Sequence, residues 1–227
     1  MKTVLITGAN RGIGLGLVKA HLDAGWNVFA CSRSLGNPLK SEKTHDRLSV
    51  LELDVLDSHA IERIADDLEK EDIVINRVIA NAGVFNSQEM SNWTSDNFVD
   101  TFSVNAASVA ILARKLETVI CEGGTFNAIS SGMGSIGMEI GFEGDGDAYA
   151  ISKVALNMLC ARLAQKWSSR NIGVHAISPG WVKTDMGGPD AELPVEESVA
   201  KLMVTFENLS PQQNGRFLSN EGVILPW

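Results

Sequence analysis

A chain of 227 residues, of which 44% are hydrophobic and 21% charged, has the size and composition of one globular domain with a large core. Its formal net charge of −9 argues against nucleic-acid binding, because proteins that bind nucleic acids offset phosphate charge with a basic surface. No apolar run reaches the length of a membrane-spanning helix, so we expect no membrane partner and interpret residues 1–227 as a single domain.

Short runs rich in β-branched and apolar residues predict six strands that are buried on both faces. These runs lie at residues 2–7, 27–32, 48–53, 73–80, 124–130 and 173–178. Helical patterns separate them at residues 12–24, 58–71, 95–120 and 148–168, and Asp57 or Ser58 would cap the second helix. This alternation predicts an α/β fold of Rossmann type, a doubly wound parallel sheet in a three-layer αβα arrangement.

The C-terminal third combines a long helix with a long loop. Apolar residues at helical spacing between Ala148 and Leu163, including Ile151, predict the face that packs on the sheet. The stretch 179–198 contains three prolines and several glycines, which indicates a functional loop, and we interpret residues 180–197 as a substrate loop.

A glycine-rich segment, TGANRGIG, follows the first predicted strand directly. Glycines at this point let the backbone approach a pyrophosphate, which the positive end of the next helix would attract. The segment therefore predicts a dinucleotide site, although a glycine-rich turn without a ligand is the alternative. The residues expected at the cofactor are Gly8, Asn10, Arg11, Gly12, Ile13 and Gly14.

The end of the second strand indicates which dinucleotide binds. Ser32 and Arg33 stand where an NAD enzyme usually carries an acidic residue, and no acid follows before Glu42. Arg33 together with Arg11 would suit a 2′-phosphate, so we expect NADP(H) in preference to NAD(H). The alternative is that Arg33 is a solvated loop residue.

Further motifs occur in a fixed order along the chain. After the glycine segment come Asn-Ala-Gly at 81–83, Asn105, Ser131, Tyr149 with Lys153 four residues later, and PGWVKT at 179–184. This ordered set resembles the short-chain dehydrogenase/reductase family in its single-domain form. The final stretch is most similar to the branch that contains C-signal and Sniffer-like carbonyl reductases.

The resemblance implies a role for each of four catalytic residues. Tyr149 would act as the general acid or base, and Ser131 would hydrogen-bond the substrate oxygen, with Ser130 and Ser135 as neighbouring alternatives. Lys153 would bind the nicotinamide ribose and lower the pKa of Tyr149, and Asn105 would support a water chain that reaches Lys153. The alternative for Tyr149 and Lys153 is an amphipathic helix with a snorkelling lysine.

The resemblance also places residues against the cofactor. They are Asp54 and Val55 beside the adenine, Asn81, Ala82 and Gly83 along the cofactor, Tyr149 and Lys153, and Pro179, Gly180, Val182 and Thr184 at the nicotinamide end. Apolar side chains that follow the strands predict a substrate pocket, and they are Phe85, Trp93, Met133, Met138, Phe142, Trp181 and Met186.

The expected function is hydride transfer between NADP(H) and a small carbonyl or alcohol substrate. The alternative is a dinucleotide-binding signalling or regulatory protein of the C-signal type with little catalysis. The resemblance implies a homodimer or homotetramer formed through the helices at 95–120 and 148–168, with a monomer as the alternative. A scaffold that acts through contacts of these helices is a third functional option. Three widely spaced cysteines favour a reducing cytoplasm, and the four histidines show no metal-ligand spacing.

Overall fold

Parallel strands form the centre of the fold, and a computed structural model describes residues 1–34, 39, 45–209 and 213–227. In these ranges the strands are β1 (Thr3–Thr7), β2 (Asn27–Ser32), β3 (Leu48–Glu52), β4 (Ile75–Ala80), β5 (Ile120–Ile129), β6 (Gly173–Ile177) and β7 (Phe217–Leu218). They form one sheet in the order β3-β2-β1-β4-β5-β6-β7, and every pairing is parallel. The chain reverses its direction of winding between β3 and β4, as in a doubly wound sheet.

Helices cover both faces of the sheet. They are α1 (Gly12–Asp23), α2 (Ser58–Lys70), α3 (Ser95–Phe102), α4 (Ser108–Leu116), α5 (Asp147–Lys166) and α6 (Val195–Asn208), and a π-helical turn at Ser103–Ala107 joins α3 to α4. Leu17 of α1 and Leu202 of α6 belong to the core on one face. Ile61, Leu112 and Leu156 of α2, α4 and α5 belong to the core on the other face. The predicted three-layer arrangement is therefore confirmed.

The boundaries of several elements differ from the predicted ones. All six predicted strands are present, and Asp57 caps α2 by accepting hydrogen bonds from the amides of His59 and Ala60. Strand β7 and helix α6 were not predicted, and α6 begins at Val195, inside the predicted loop at 180–197. The π-helical turn interrupts the predicted helix at 95–120.

The predicted buried face of α5 was partly wrong, since Ala148 and Leu163 are buried as predicted but Ile151 is not. Ile151 is 54% exposed, whereas Ser152 and Lys153 are buried together with Leu156 and Cys160. Hydropathy misplaced the face because the buried polar side chains find hydrogen-bond partners inside the protein.

The described ranges lack both a helix that could span a membrane and a cluster of metal-ligating side chains. No helix there is both long and apolar enough to cross a membrane. In the same part of the chain, no group of three or more His, Cys, Asp or Glu side chains could hold a metal ion.

A buried arginine connects β4 to both helices on one face, at the edge of the sheet where the strands begin. The Arg77 guanidinium lies 4.5 Å from the centre of the Trp26 ring and 5.0 Å from that of Phe206. It donates to the Glu207 carboxylate at 2.9 Å and lies 3.2 Å from Nε2 of His21. Nδ1 of His21 lies 2.7 Å from a main-chain carbonyl, so Nδ1 carries the proton and Nε2 accepts from Arg77.

Two buried histidines predict loss of stability in acid. Burial lowers the pKa of His21 and of His175 from 6.5 to about 4. Both are neutral in the folded protein above pH 4, whereas the unfolded chain protonates them below pH 6.5. With respect to these two groups, the free energy of unfolding is therefore highest above pH 6.5. Each histidine lowers the free energy of unfolding by up to about 3 kcal/mol as the pH falls to 4.

Urea denaturation between pH 7 and pH 4 measures this loss. His175→Gln should show a shallower decline with falling pH than the parent protein, because one titrating group is gone. His59→Gln controls for removal of an exposed imidazole, since that side chain is 84% exposed. Equal slopes for the parent and His175→Gln would contradict the assignment.

Candidate active site

The loops that follow β1 and β4 are bonded to each other at the carboxyl edge of the sheet. The Asn81 side-chain amide donates to the carbonyls of Thr7 and Gly8, at 3.0 and 3.1 Å. The Thr7 hydroxyl accepts from the backbone amides of Asn81 and Ala82, both at 3.1 Å. Asn81 therefore holds the glycine loop in place, as expected for a residue that steadies the sheet.

The glycine loop fits a phosphate group by its backbone geometry. Gly8 and Gly12 have φ of +63° and +51°, a region that side chains disfavour. A Cβ on Gly14 would lie 2.2 Å from the Gly8 carbonyl oxygen, so the turn closes only with glycine at this position. The N-terminus of α1 has no side-chain cap and no acid in its first turn, which leaves its amides and positive dipole for an anion.

Gly14→Ala is expected to lower the free energy of unfolding by about 2–3 kcal/mol and to abolish dinucleotide binding. The reason is that the new methyl group would overlap the backbone of the loop itself. Denaturation and calorimetric titration with NADP measure the two effects. Gly144→Ala is the matched control, because its Cβ would meet only the Gly141 carbonyl oxygen at 3.5 Å. Normal cofactor binding by Gly14→Ala would contradict the role of the loop.

The two arginines expected at a 2′-phosphate have different surroundings. Arg33 is exposed after β2, whereas Ser32 is buried and donates to the Ser34 carbonyl at 2.7 Å. Arg11 forms an ion pair of 2.7 Å with Asp185, in the loop that follows β6. The Arg11 side chain therefore points towards the loop after β6. Glu42 lies outside the described residues.

The two residues predicted beside the adenine, and the remaining residues of the glycine loop, lie at the same edge. Asp54 is exposed after β3, and its carboxylate accepts from the Leu56 amide at 3.0 Å. Val55 packs against the core on the side of α2, and Ile13 packs against the core on the side of α1. Asn10 is half-buried in the glycine loop.

Asn105 is fully buried in the π-helical turn and connects three elements. Its amide oxygen accepts from the Val84 amide at 2.9 Å, and its nitrogen donates to the Val84 carbonyl at 2.9 Å and to the Ser152 hydroxyl at 3.0 Å. Ser152 donates in turn to the Tyr149 carbonyl at 2.6 Å. A Cβ on Gly83 would lie 3.3 Å from Oδ1 of Asn105 and 3.8 Å from Nζ of Lys153. The turn therefore brings Asn105, the loop after β4 and the first turns of α5 together.

Lys153 is 4% exposed and faces the sheet. Its ammonium donates to the Ile129 carbonyl at 2.8 Å and lies 5.4 Å from the centre of the Tyr149 ring. Burial lowers the pKa of this amine from 10.5 to about 8. A Cβ on Gly134 would lie 2.8 Å from Cβ of Lys153, so the loop after β5 packs directly on the lysine stem.

Tyr149 is 9% exposed, and the Ser131 hydroxyl is near enough to the phenol to act on its pKa. Burial raises the pKa of Tyr149 above 10, and the Ser131 hydroxyl opposes this rise. The expectation that Lys153 sets a lowered pKa is therefore wrong for the protein by itself, because desolvation of the phenolate outweighs other effects. The other two candidate serines are engaged elsewhere, since Ser130 donates to Asn157 and Ser135 to the Pro226 carbonyl.

The apolar residues predicted around the substrate divide into two groups. The ring of Phe85 meets that of Tyr149 edge-on, with 5.1 Å between centres. Met133 lies beside Phe85, because a Cβ on Gly146 would touch both side chains. Trp93 instead packs on Phe98 at 5.4 Å.

Further members of this predicted set lie in other surroundings. Trp181 donates to the Gly187 carbonyl inside its own loop. Phe142 is 63% exposed and Met186 is 43% exposed, and Met138 is half-buried.

The loop after β6 is held by hydrogen bonds from α6 and from the segment after β7. The Pro179 carbonyl accepts from Ser198 at 2.7 Å and Asn220 at 3.0 Å. Val182 pairs with Leu193, and Gly180 has φ of +84°, where a Cβ would lie 2.5 Å from the Leu193 side chain.

The same loop reaches the glycine loop. A Cβ on Gly12 would lie 3.2 Å from the Thr184 methyl group. The predicted nicotinamide and pyrophosphate segments are therefore neighbours.

Two residues of this site were missed from the sequence. Ser152 lies inside the segment YAISK, so its position beside Tyr149 and Lys153 was a usable signal. Asn157 bonds Ser130 and the Gly134 carbonyl, and the sequence offers no sign of these contacts.

Comparison with known proteins agrees with this arrangement. The sequence profile described as short chain dehydrogenase matches residues 2–193. The chain belongs to the short-chain dehydrogenase family. As a family member it is similar to C-signal of Myxococcus xanthus, with 37% identity over 99 residues that cover 44% of this chain and 58% of C-signal.

Solved structures of the short-chain dehydrogenase family match the whole chain. The carbonyl reductase Sniffer of D. melanogaster is 31% identical with a TM-score of 0.92, and the match covers all of both chains. An NADPH-bound carbonyl reductase from chicken fatty liver is 30% identical with a TM-score of 0.93, and the match covers 94% of that chain. These comparisons support a hydride-transfer oxidoreductase that uses a nicotinamide dinucleotide.

Proposed function

We propose that the protein is an NADP(H)-dependent carbonyl reductase in which Tyr149 is the general acid. The observation that carries this proposal is the buried Tyr149, which has the Ser131 hydroxyl beside its phenol and the Lys153 ammonium 5.4 Å from its ring. Two hydroxyls and a cation at the carboxyl edge of a parallel sheet, beside a glycine loop, suit reduction of a carbonyl group.

The mechanism assigns one task to each of these side chains. A nicotinamide dinucleotide, when bound, supplies the hydride to the carbonyl carbon. Ser131 donates a hydrogen bond to the substrate oxygen, and Tyr149 transfers its proton to that oxygen as negative charge develops there. Lys153 stabilises the phenolate that remains. Asn105 fixes the position of the loop after β4 relative to the first turns of α5. The reverse sequence oxidises an alcohol, with Tyr149 as the base.

The cofactor site of the proposal uses the residues predicted from the sequence. The glycine loop and the N-terminus of α1 receive the pyrophosphate, and Arg11 and Arg33 provide the positive charge that favours NADP(H). Asp54 and Val55 lie at the adenine, and Pro179, Gly180, Val182 and Thr184 at the nicotinamide. The loop from Gly180 to Pro194 serves as the substrate loop of a single catalytic domain.

Turnover of small carbonyl compounds tests the proposed activity. Purified protein is mixed with NADPH and a panel of neutral aldehydes and ketones, and NADPH consumption is followed by absorbance. Turnover above the rate of the Tyr149→Phe protein supports the reductase. NADPH binding without turnover of any compound supports the alternative, a dinucleotide-binding signalling protein, which the match to C-signal favours.

Self-association belongs to the same proposal. Helices α3 and α5 pack on each other, and their outer sides expose Val99, Phe102, Ile151 and Met158 by 45–61%. Such an apolar stripe suits a homodimer or homotetramer, which sedimentation analysis tests. Because the cysteines are free thiols, the proposal places the protein in the reducing cytoplasm.

A further inference from the structure

Asp185 is the partner of the arginine in the glycine loop. Its Oδ2 lies 2.7 Å from Nη1 of Arg11, and the two side chains are 77% and 64% exposed. The residues are 174 positions apart in the chain, so the ion pair joins the loop after β6 to the start of α1.

Two hydrogen bonds within the turn and a contact with the glycine loop hold the turn that carries Asp185 in place. The Thr184 hydroxyl accepts from the Gly187 amide at 3.1 Å, and the Thr184 carbonyl accepts from the Gly188 amide at 2.9 Å. The Thr184 methyl group lies against Gly12, next to Arg11 in the chain. The backbone of the turn therefore holds Asp185 next to Arg11.

A paired guanidinium attracts a phosphate less strongly than an unpaired one. The Asp185 carboxylate occupies part of the donor fork of Arg11 and repels a nearby dianion. NAD has a 2′-hydroxyl where NADP has a 2′-phosphate, so this repulsion acts on NADP far more than on NAD.

We propose that Asp185 is a selectivity residue for the cofactor, whose carboxylate competes with the 2′-phosphate of NADP for Arg11. The inference rests on the proposed use of NADP(H). It adds that the 2′-phosphate displaces the Asp185 carboxylate from Arg11 and breaks this ion pair between the substrate loop and the glycine loop. NAD leaves this ion pair in place, so the two cofactors differ in their effect on the loop.

Calorimetric titration with NADP and NAD tests the competition without any substrate. Asp185→Asn should bind NADP about three- to tenfold more tightly than the parent protein at low salt, with unchanged affinity for NAD. The gain should shrink in about 0.5 M salt, because ions screen the exposed charges. Asp190→Asn removes the same charge from an exposed position of the same loop and is the matched control.

The double variant Arg11→Gln/Asp185→Asn separates competition from a general charge effect. If Asp185 acts through Arg11, its removal should bring no gain once Arg11 is absent. Weaker NADP binding by Asp185→Asn, or a gain equal to that of Asp190→Asn, overturns the inference. If NADP binds no better than NAD and Arg11→Gln changes neither, the proposed cofactor preference fails instead.

Discussion

Tyr149→Phe is expected to lower kcat/KM for carbonyl reduction by about 10³-fold while the affinity for NADP stays close to that of the parent protein. The change removes only the hydroxyl, and with it the proton that the proposed reaction delivers to the substrate oxygen. The ring keeps its buried position and its edge contact with Phe85. Loss of the hydroxyl beside Ser131 should alter the free energy of unfolding by no more than about 1 kcal/mol.

Steady-state kinetics and calorimetric titration of the same preparations give both quantities. Ser135→Ala is the control for loss of a nearby hydroxyl, because Ser135 donates to the Pro226 carbonyl instead of facing Tyr149. Activity of Tyr149→Phe within tenfold of the parent would remove Tyr149 from the proposed mechanism. A biological role that persists in an inactive Tyr149→Phe protein would favour the signalling alternative.

Lys153→Met is expected to reduce activity by at least about 10²-fold and at the same time to stabilise the fold. A pKa of about 8 in place of 10.5 means that holding the charged lysine in the core costs roughly 3 kcal/mol at neutral pH. Methionine keeps much of the apolar stem and removes the charge. It leaves the Ile129 carbonyl without the lysine donor, so the net gain in the free energy of unfolding should be about 1–2 kcal/mol.

The pH dependence of this gain checks its cause. Below pH 8 lysine is charged in both the folded and the unfolded protein, and the full cost of burial is present. As the pH rises from 8 towards 10.5, the folded protein loses the proton first and the cost declines. The advantage of Lys153→Met in urea denaturation should therefore be larger at pH 7 than at pH 9.5.

Lys166→Met, at the exposed end of the same helix, controls for a general effect of replacing lysine by methionine. A destabilised Lys153→Met protein at pH 7 would show that the hydrogen bond to Ile129 outweighs the cost of burying the charge.

Local patterns explain what could be predicted from the sequence. The glycine loop, Tyr149 and Lys153 each stand in a short segment, and the fixed order of these segments along the chain supported the prediction. The strand and helix order follows from periodicity. Helix α6 was missed although Val195, Val199 and Leu202 recur at helical spacing, because the prolines and glycines before it favoured a loop.

Long-range contacts explain most of the rest. Ser152 meets Asn105 across 47 positions, and Arg11 meets Asp185 across 174, so neither pairing leaves a trace in local sequence. The buried face of α5 is polar at Ser152 and Lys153, and hydropathy assigns such residues to the surface. A two-residue strand such as β7 is too short for a periodic signal.

The position of Asn105 depends on the number of residues in the π-helical turn that contains it. A π turn holds one more residue than an α-helical turn in the same place. Deleting one residue between Ser103 and Ala107 would restore a regular helix with little change in the segments on either side, and would remove the widened turn that carries Asn105. When related sequences are aligned, a gap inside these five positions therefore marks chains that must build this part of the site in another way, even where the tyrosine and lysine remain.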